Sequence, residues 1–109
     1  MNDNLTLIFK KVWFDQILKG TKKEEYRNLS KYYFQRLLSN WYENLPPKEY
    51  EFRNYKTLTC LNGYRKNRPE FLIEIKAIDI GKGNPKWTSS PEKEVFRIKL
   101  GKVISRKNC

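Results

Sequence analysis

Leu5, Leu7 and Phe9 alternate with Thr6 and Ile8, the period of a half-buried strand, and the chain then changes period so that Trp13 pairs with Ile17 and Phe14 with Leu18. A strand therefore leads into a short helix. Gly20 follows the last apolar residue and suits the left-handed position that ends many helices, and a second strand is expected over residues 22–27. Ser30 is placed to cap a second helix, in which Tyr33, Leu37 and Trp41 recur at four-residue spacing while Phe34 and Leu38 widen the stripe. Its end is expected between Asn40 and Asn44, and Pro46-Pro47 then enforces an extended connection to about Tyr55.

A third strand is expected over residues 57–61, followed by a turn at Asn62-Gly63 and a basic loop carrying Arg65, Lys66 and Arg68. After Pro69 the apolar residues sit at odd positions from Phe71 to Ile75 but at even ones at Ile78 and Ile80. A bulge near Ala77 accounts for that change of parity. Residues 81–85 read as loop, Ser89-Ser90-Pro91 as a turn, and Phe96, Ile98 and Leu100 as a closing strand. The pattern predicts an α+β fold: a small β-barrel of five to six strands with two helices inserted early, in a single domain over residues 1–109.

Composition adds a partner class to this fold and removes several chemistries. A chain of 109 residues makes one domain and can bury roughly two thirds of its unfolded surface, enough for one core without metal or disulfide. It has no His, which removes Ser-His-Asp and Cys-His schemes. Cys60 and Cys109 are far apart with no second ligand at metal spacing, so neither a metal site nor a cofactor is expected. No apolar run approaches the roughly 20 residues of a membrane span, and the N-terminal MNDNLTLIFKK lacks the apolar core of a signal peptide. A soluble cytoplasmic protein with no membrane partner is expected. Lys and Arg number 23 against 12 Asp and Glu, a formal net charge of +11, with aromatic residues among the cations. Polyanions gather on such a surface and bases stack on its rings, which makes RNA the first partner to consider.

Ionisable groups concentrate where the first helix hands over to the second strand. On a strand, Glu25 and Arg27 share one face and Glu24 and Tyr26 the other, while Lys22 can turn toward Glu25. Lys22, Glu25 and Arg27 are the candidate catalytic set: Glu25 as a base toward water or a ribose 2′-hydroxyl, with the two cations stabilising developing phosphate charge. Against this stands the reading of a ladder ion pair beside a solvated turn lysine. Lys10, Lys22, Arg27, Arg36, Asn62 and Tyr64 are the candidate nucleic-acid contacts. Lys10 ends the first strand at a barrel mouth, Arg36 lies one helical turn from Tyr32, and Asn62 and Tyr64 flank a glycine that allows close backbone approach. Trp87 is either a stacking platform or the plug of its own loop.

The run Gly20-Thr21-Lys22-Lys23-Glu24-Glu25-Tyr26-Arg27 resembles the Gly-x-Lys-x-x-Glu-x-Arg hallmark of the ASCH domains of the PUA-like superfamily. The likeness continues through Arg36-Leu37, Asn62-Gly63-Tyr64, residues 81–87, Glu94-Val95-Phe96 and Leu100-Gly101-Lys102. It implies a PUA-like barrel with a cleft between barrel and helices, binding RNA or a modified nucleotide. Some ASCH-like proteins are ribonucleases or amidohydrolases on N-acylated cytidine, the latter using a Lys and a Thr of this motif with a later Glu. Lys22 matches that Lys, Glu25 stands where the Thr would be, and Glu92 or Glu94 would supply the later acid. The reading is therefore an RNA- or modified-nucleotide-binding domain with a basic cleft. Its rivals are a metal-independent hydrolase, either ribonuclease or amidohydrolase, and an adaptor docking an acidic protein.

Overall fold

The computed structural model describes residues 3–109, so the first two residues of the expected domain lie outside the described ones. Among the described residues, five strands and two α-helices run in the order β1 (Asn4–Phe9), α1 (Lys11–Lys19), β2 (Glu24–Arg27), α2 (Lys31–Leu37), β3 (Thr57–Asn62), β4 (Glu70–Lys82) and β5 (Glu94–Lys107). They make one mixed sheet in the order β1-β3-β4-β5-β2, curled into a half-barrel. β1 runs parallel to β3, and every other pair is antiparallel. The α+β architecture with two early helices thus follows the pattern of apolar positions.

Curvature comes mainly from β4. Its register against β5 shifts three times between Leu72 and Ala77, including the step next to Ala77 where the parity of apolar residues changes. Each shift bends the strand and tightens its twist. The concave face then collects Leu5, Leu7 and Phe9 of β1, Leu58 and Cys60 of β3, Phe71 and Ile73 of β4, and Phe96 and Ile98 of β5, all buried. α1 closes one side with Phe14 and Ile17, and it ends on Gly20 at φ 83°, where the amide donates to the Ile17 carbonyl. Positive φ costs glycine nothing, so the chain turns sharply into β2.

Several boundaries depart from the sequence pattern. α2 is capped by Ser30 as expected, but it stops at Leu37, several residues short of the predicted end. Leu38 is extended and bridges Phe52, the Ser39 amide donates to the Glu51 carbonyl, and the Arg53 amide donates to the Leu37 carbonyl. Those long-range partners replace the next helical turn. Trp41 leaves the helix and instead stacks on Phe34, ring centroids 5.9 Å apart. The connection after Pro46 contains a short 3-10 turn, Pro47–Glu49, where an extended run was expected. The second strand begins at Glu24 and not Lys22, β4 continues through Gly81 and Lys82 where a loop was expected, and β5 runs on past Leu100 to Lys107.

Candidate functional site

β2 is an edge strand paired only to β5, and its alternation separates two sets of polar groups. On the concave side the Lys22 ammonium donates to Glu25 Oε1 at 2.7 Å, and Arg27 donates from Nε to Glu25 Oε2 at 2.9 Å, its Nη2 lying 2.8 Å from the same oxygen in an ion pair. The predicted convergence of a lysine, a carboxylate and an arginine is thus present, but inside the protein. Lys22 is 3% exposed and Glu25 5%. The turn after α1 makes this possible: the Thr21 and Lys22 amides both donate to the Gln16 carbonyl, which directs the Lys22 side chain inward beneath the Trp13 ring, 4.2 Å from its centroid. Two cations share one carboxylate, so the group carries one net positive charge.

Arg27 also joins the two edges of the sheet. Its Nη2 donates to the Ile8 carbonyl of β1 at 3.1 Å, its Nη1 to the Tyr33 hydroxyl at 2.8 Å, and its guanidinium lies 4.8 Å from the Phe9 ring centroid. Burial pulls the Arg27 pKa down, but the charge of Glu25 together with Tyr33 and the hydrogen bonds to both more than offsets it, so the group is held above its ordinary value. From α2, Arg36 reaches the same edge of β1 one step away, donating to the Thr6 carbonyl at 3.3 Å and to the Tyr32 hydroxyl at 2.8 Å. Edge strands expose unpaired carbonyls that invite another chain. Here two arginines cover them.

Cys60 lies buried beside this group, and burial, reinforced by the Glu25 charge, pushes its thiol far above the ordinary range. It is therefore a packing residue and no nucleophile. Among the described residues no three His, Cys, Asp or Glu side chains are placed to hold a metal ion, and no helix is long and apolar enough to cross a membrane.

On the opposite side of β2, the Tyr26 hydroxyl donates to Glu24 at 2.6 Å and accepts from the Asn84 amide at 2.8 Å. Burial, with Glu24 adding to it, raises Tyr26 from 10.0 to about 12. The folded state therefore favours the neutral phenol, a stabilisation present in full below pH 10.0 and lost as pH climbs toward about 12. Phenolate absorbance should show one late-titrating tyrosine in the native protein, absent in Tyr26→Phe. A variant that still shows it would reassign the group. Nearby, Trp87 donates from its indole to the Thr21 carbonyl at 3.1 Å, so it anchors its loop to the turn after α1.

The open part of the site lies at the other end of Arg27. A cleft of about 570 Å³ runs between β1, α2 and the loop after β3, lined by Lys10, Arg27, Arg36, Tyr32, Tyr33 and Tyr64 together with apolar and backbone surface. Among the described residues, no acidic one lines it. Of the predicted contacts, Lys10, Arg27, Arg36 and Tyr64 line the cleft, and Tyr64 is 83% exposed. Lys22 does not, because it is turned inward onto Glu25. Asn62 does not line it either, since its amide donates to the Phe9 carbonyl at 3.2 Å and fastens the end of β1. Glu25 offers the cleft no unengaged carboxylate oxygen, each one already accepting from a cation. Tyr33 is a lining residue that its place in the apolar stripe concealed, whereas the four-residue spacing of Tyr32 and Arg36 was a usable signal. The chain matches no protein-family model, no curated protein and no solved structure with which it was compared.

Proposed function

We propose that the protein is a PUA-like module of ASCH type that binds single-stranded RNA or a modified nucleotide in the cleft between β1 and α2. The observation that carries this reading is the lining itself: three cations and three tyrosines without an opposing carboxylate. Phosphates pair with Lys10 and Arg36, and an unstacked base lies on the exposed Tyr64 ring. Arg36 spends two donors on Tyr32 and Thr6, which orients its fork and leaves others for a phosphate. Arg27 contributes field more than contact, being shared among Glu25, Tyr33 and Ile8. The half-barrel and the resemblance of residues 20–27 to the ASCH hallmark support the same assignment.

A ribonuclease reading would need Glu25 to face a substrate and an amidohydrolase reading would need Lys22 to do so, but the two are paired with each other and Glu25 also holds Arg27. The test of binding is fluorescence anisotropy on a labelled single-stranded RNA across a salt series. Tyr64→Ala is expected to weaken binding by about 1–3 kcal/mol, the worth of one stacked base. Arg36→Ala should weaken it and make the slope of log affinity against log salt shallower by about 0.7. RNA that fails to bind at low salt, or binds both variants as tightly as the wild type, overturns the assignment.

A further inference from the structure

Tyr64 lines two cavities, not one. Beyond the cleft of β1 and α2, it borders a second groove of about 470 Å³ that also contains Arg65, Lys66, Arg68 and Lys107, with Glu70 as its one acidic lining residue. The loop after β3 supplies three of these cations and the far end of β5 the fourth. β5 reaches that position only because it continues seven residues past Leu100 to Lys107, bringing Lys107 opposite Glu70 in the ladder. Among the described residues, none of Lys10, Arg36, Arg65, Lys66, Arg68 or Lys107 takes part in an ion pair. The two cavities are therefore flanked by six cations whose charge no carboxylate within bonding distance offsets, with an exposed aromatic ring at the seam.

From this juxtaposition we infer that the ligand is a polynucleotide strand several nucleotides long, which runs from the cleft of Arg36 across Tyr64 into the groove of Lys66 and Arg68. The inference rests on the cleft's assignment to nucleotide binding and extends it by excluding a free mononucleotide as the full ligand. A mononucleotide fills the cleft and leaves the second set of cations unused. A strand places successive phosphates along both sets and stacks a base on Tyr64 between them, the combination of basic track and ring that single-strand binders use. A duplex cannot do this, because its bases are already stacked and turned away from the ring. An acidic peptide would satisfy the cations but gains nothing from an isolated exposed tyrosine at the seam.

The experiment is competition of unlabelled uridine monophosphate and oligouridylates of about 2, 4, 8 and 12 nucleotides against a labelled long strand. Affinity should climb with length and level off within the range of about 4–16 nucleotides typical of one small binding domain. With six phosphates engaged, raising salt from about 50 to 200 mM should weaken the long strand roughly 300-fold. The variant Lys66→Ala/Arg68→Ala, on an exposed loop away from the core, should make the salt slope shallower by about 1.4 and flatten the gain with length while leaving the dinucleotide unaffected. If this variant matches the wild type at every length while Arg36→Ala still loses affinity, the track is wrong and the cleft stands. If neither variant changes anything, the cleft falls with it. A polyglutamate of equal charge that displaces the strand with equal affinity overturns the inference in favour of an acidic protein partner.

Discussion

Replacing Glu25 with Ala is expected to cost the fold on the order of 3–5 kcal/mol, a third or more of the stability of an ordinary domain. Lys22 is 3% exposed and donates to one oxygen of Glu25, while Arg27 donates to the other. Without the carboxylate, two cations remain in an interior that offers Lys22 the Trp13 and Tyr26 rings and Arg27 neutral acceptors, but no charge of opposite sign within bonding distance. Desolvation that the carboxylate offset is then unopposed. Denaturant unfolding should show the loss in the midpoint, and for a domain near 100 residues the melting temperature should fall by at least about 12 °C. A second substitution separates charge from shape: Lys22→Met added to Glu25→Gln removes one cation and keeps an acceptor for Arg27, and should recover much of the stability. Glu25→Ala unfolding at the wild-type midpoint would show that the three groups are not held as the geometry has them.

Phe96→Ala should be comparably severe, roughly 3–5 kcal/mol. Phe96 is fully buried on β5 and meets Phe34 of α2 edge-on at 5.0 Å between centroids and Phe52 at 6.3 Å. It thereby joins the sheet to the helix and to the segment that ends the helix. Truncation leaves a void at that junction, and the ring interactions are lost in addition to the buried area. Because α2 also carries Tyr33 and Arg36 into the cleft, which Phe96 does not line, the RNA binding proposed for that cleft should weaken in parallel. Ile104→Ala, also on β5 but 56% exposed, is the control and should change stability by less than about 0.5 kcal/mol. Equal losses in the two variants would mean that the junction contributes nothing special.

Glu25 belongs to the buried ionic group and Phe96 to the core beneath α2, and the sequence foretells their surroundings to different degrees. The alternation of β2 by itself puts Glu25 and Arg27 on one face, and the glycine turn brings Lys22 back toward them. Nothing in the local pattern said whether that face would meet solvent or core. The parity change in β4 announced a bulge, but the extension of β5 to Lys107, and with it the second groove, depended on how long two bent strands remain in register. Trp41 shows the limit from the other direction: it fits the helical stripe, yet pairing of residues 37–39 with 51–53 ended the helix before it.

What the residues determined by themselves were the elements and the sides of those elements, because backbone periods of 2 and 3.6 and the φ demands of Gly and Pro act over a few neighbours. Charge balance likewise needed no fold, since it is a sum over the chain. Tertiary structure alone decided that Lys22 and Glu25 are interior, that Arg27 and Arg36 cover the edge carbonyls of Ile8 and Thr6, and that Tyr64 stands between two basic cavities. Each of these joins groups distant in sequence, through the curl of the sheet or, at Tyr64, through the loop after β3 and the far end of β5. Burial and opposition across such distances follow from where whole strands end up, which no local pattern encodes.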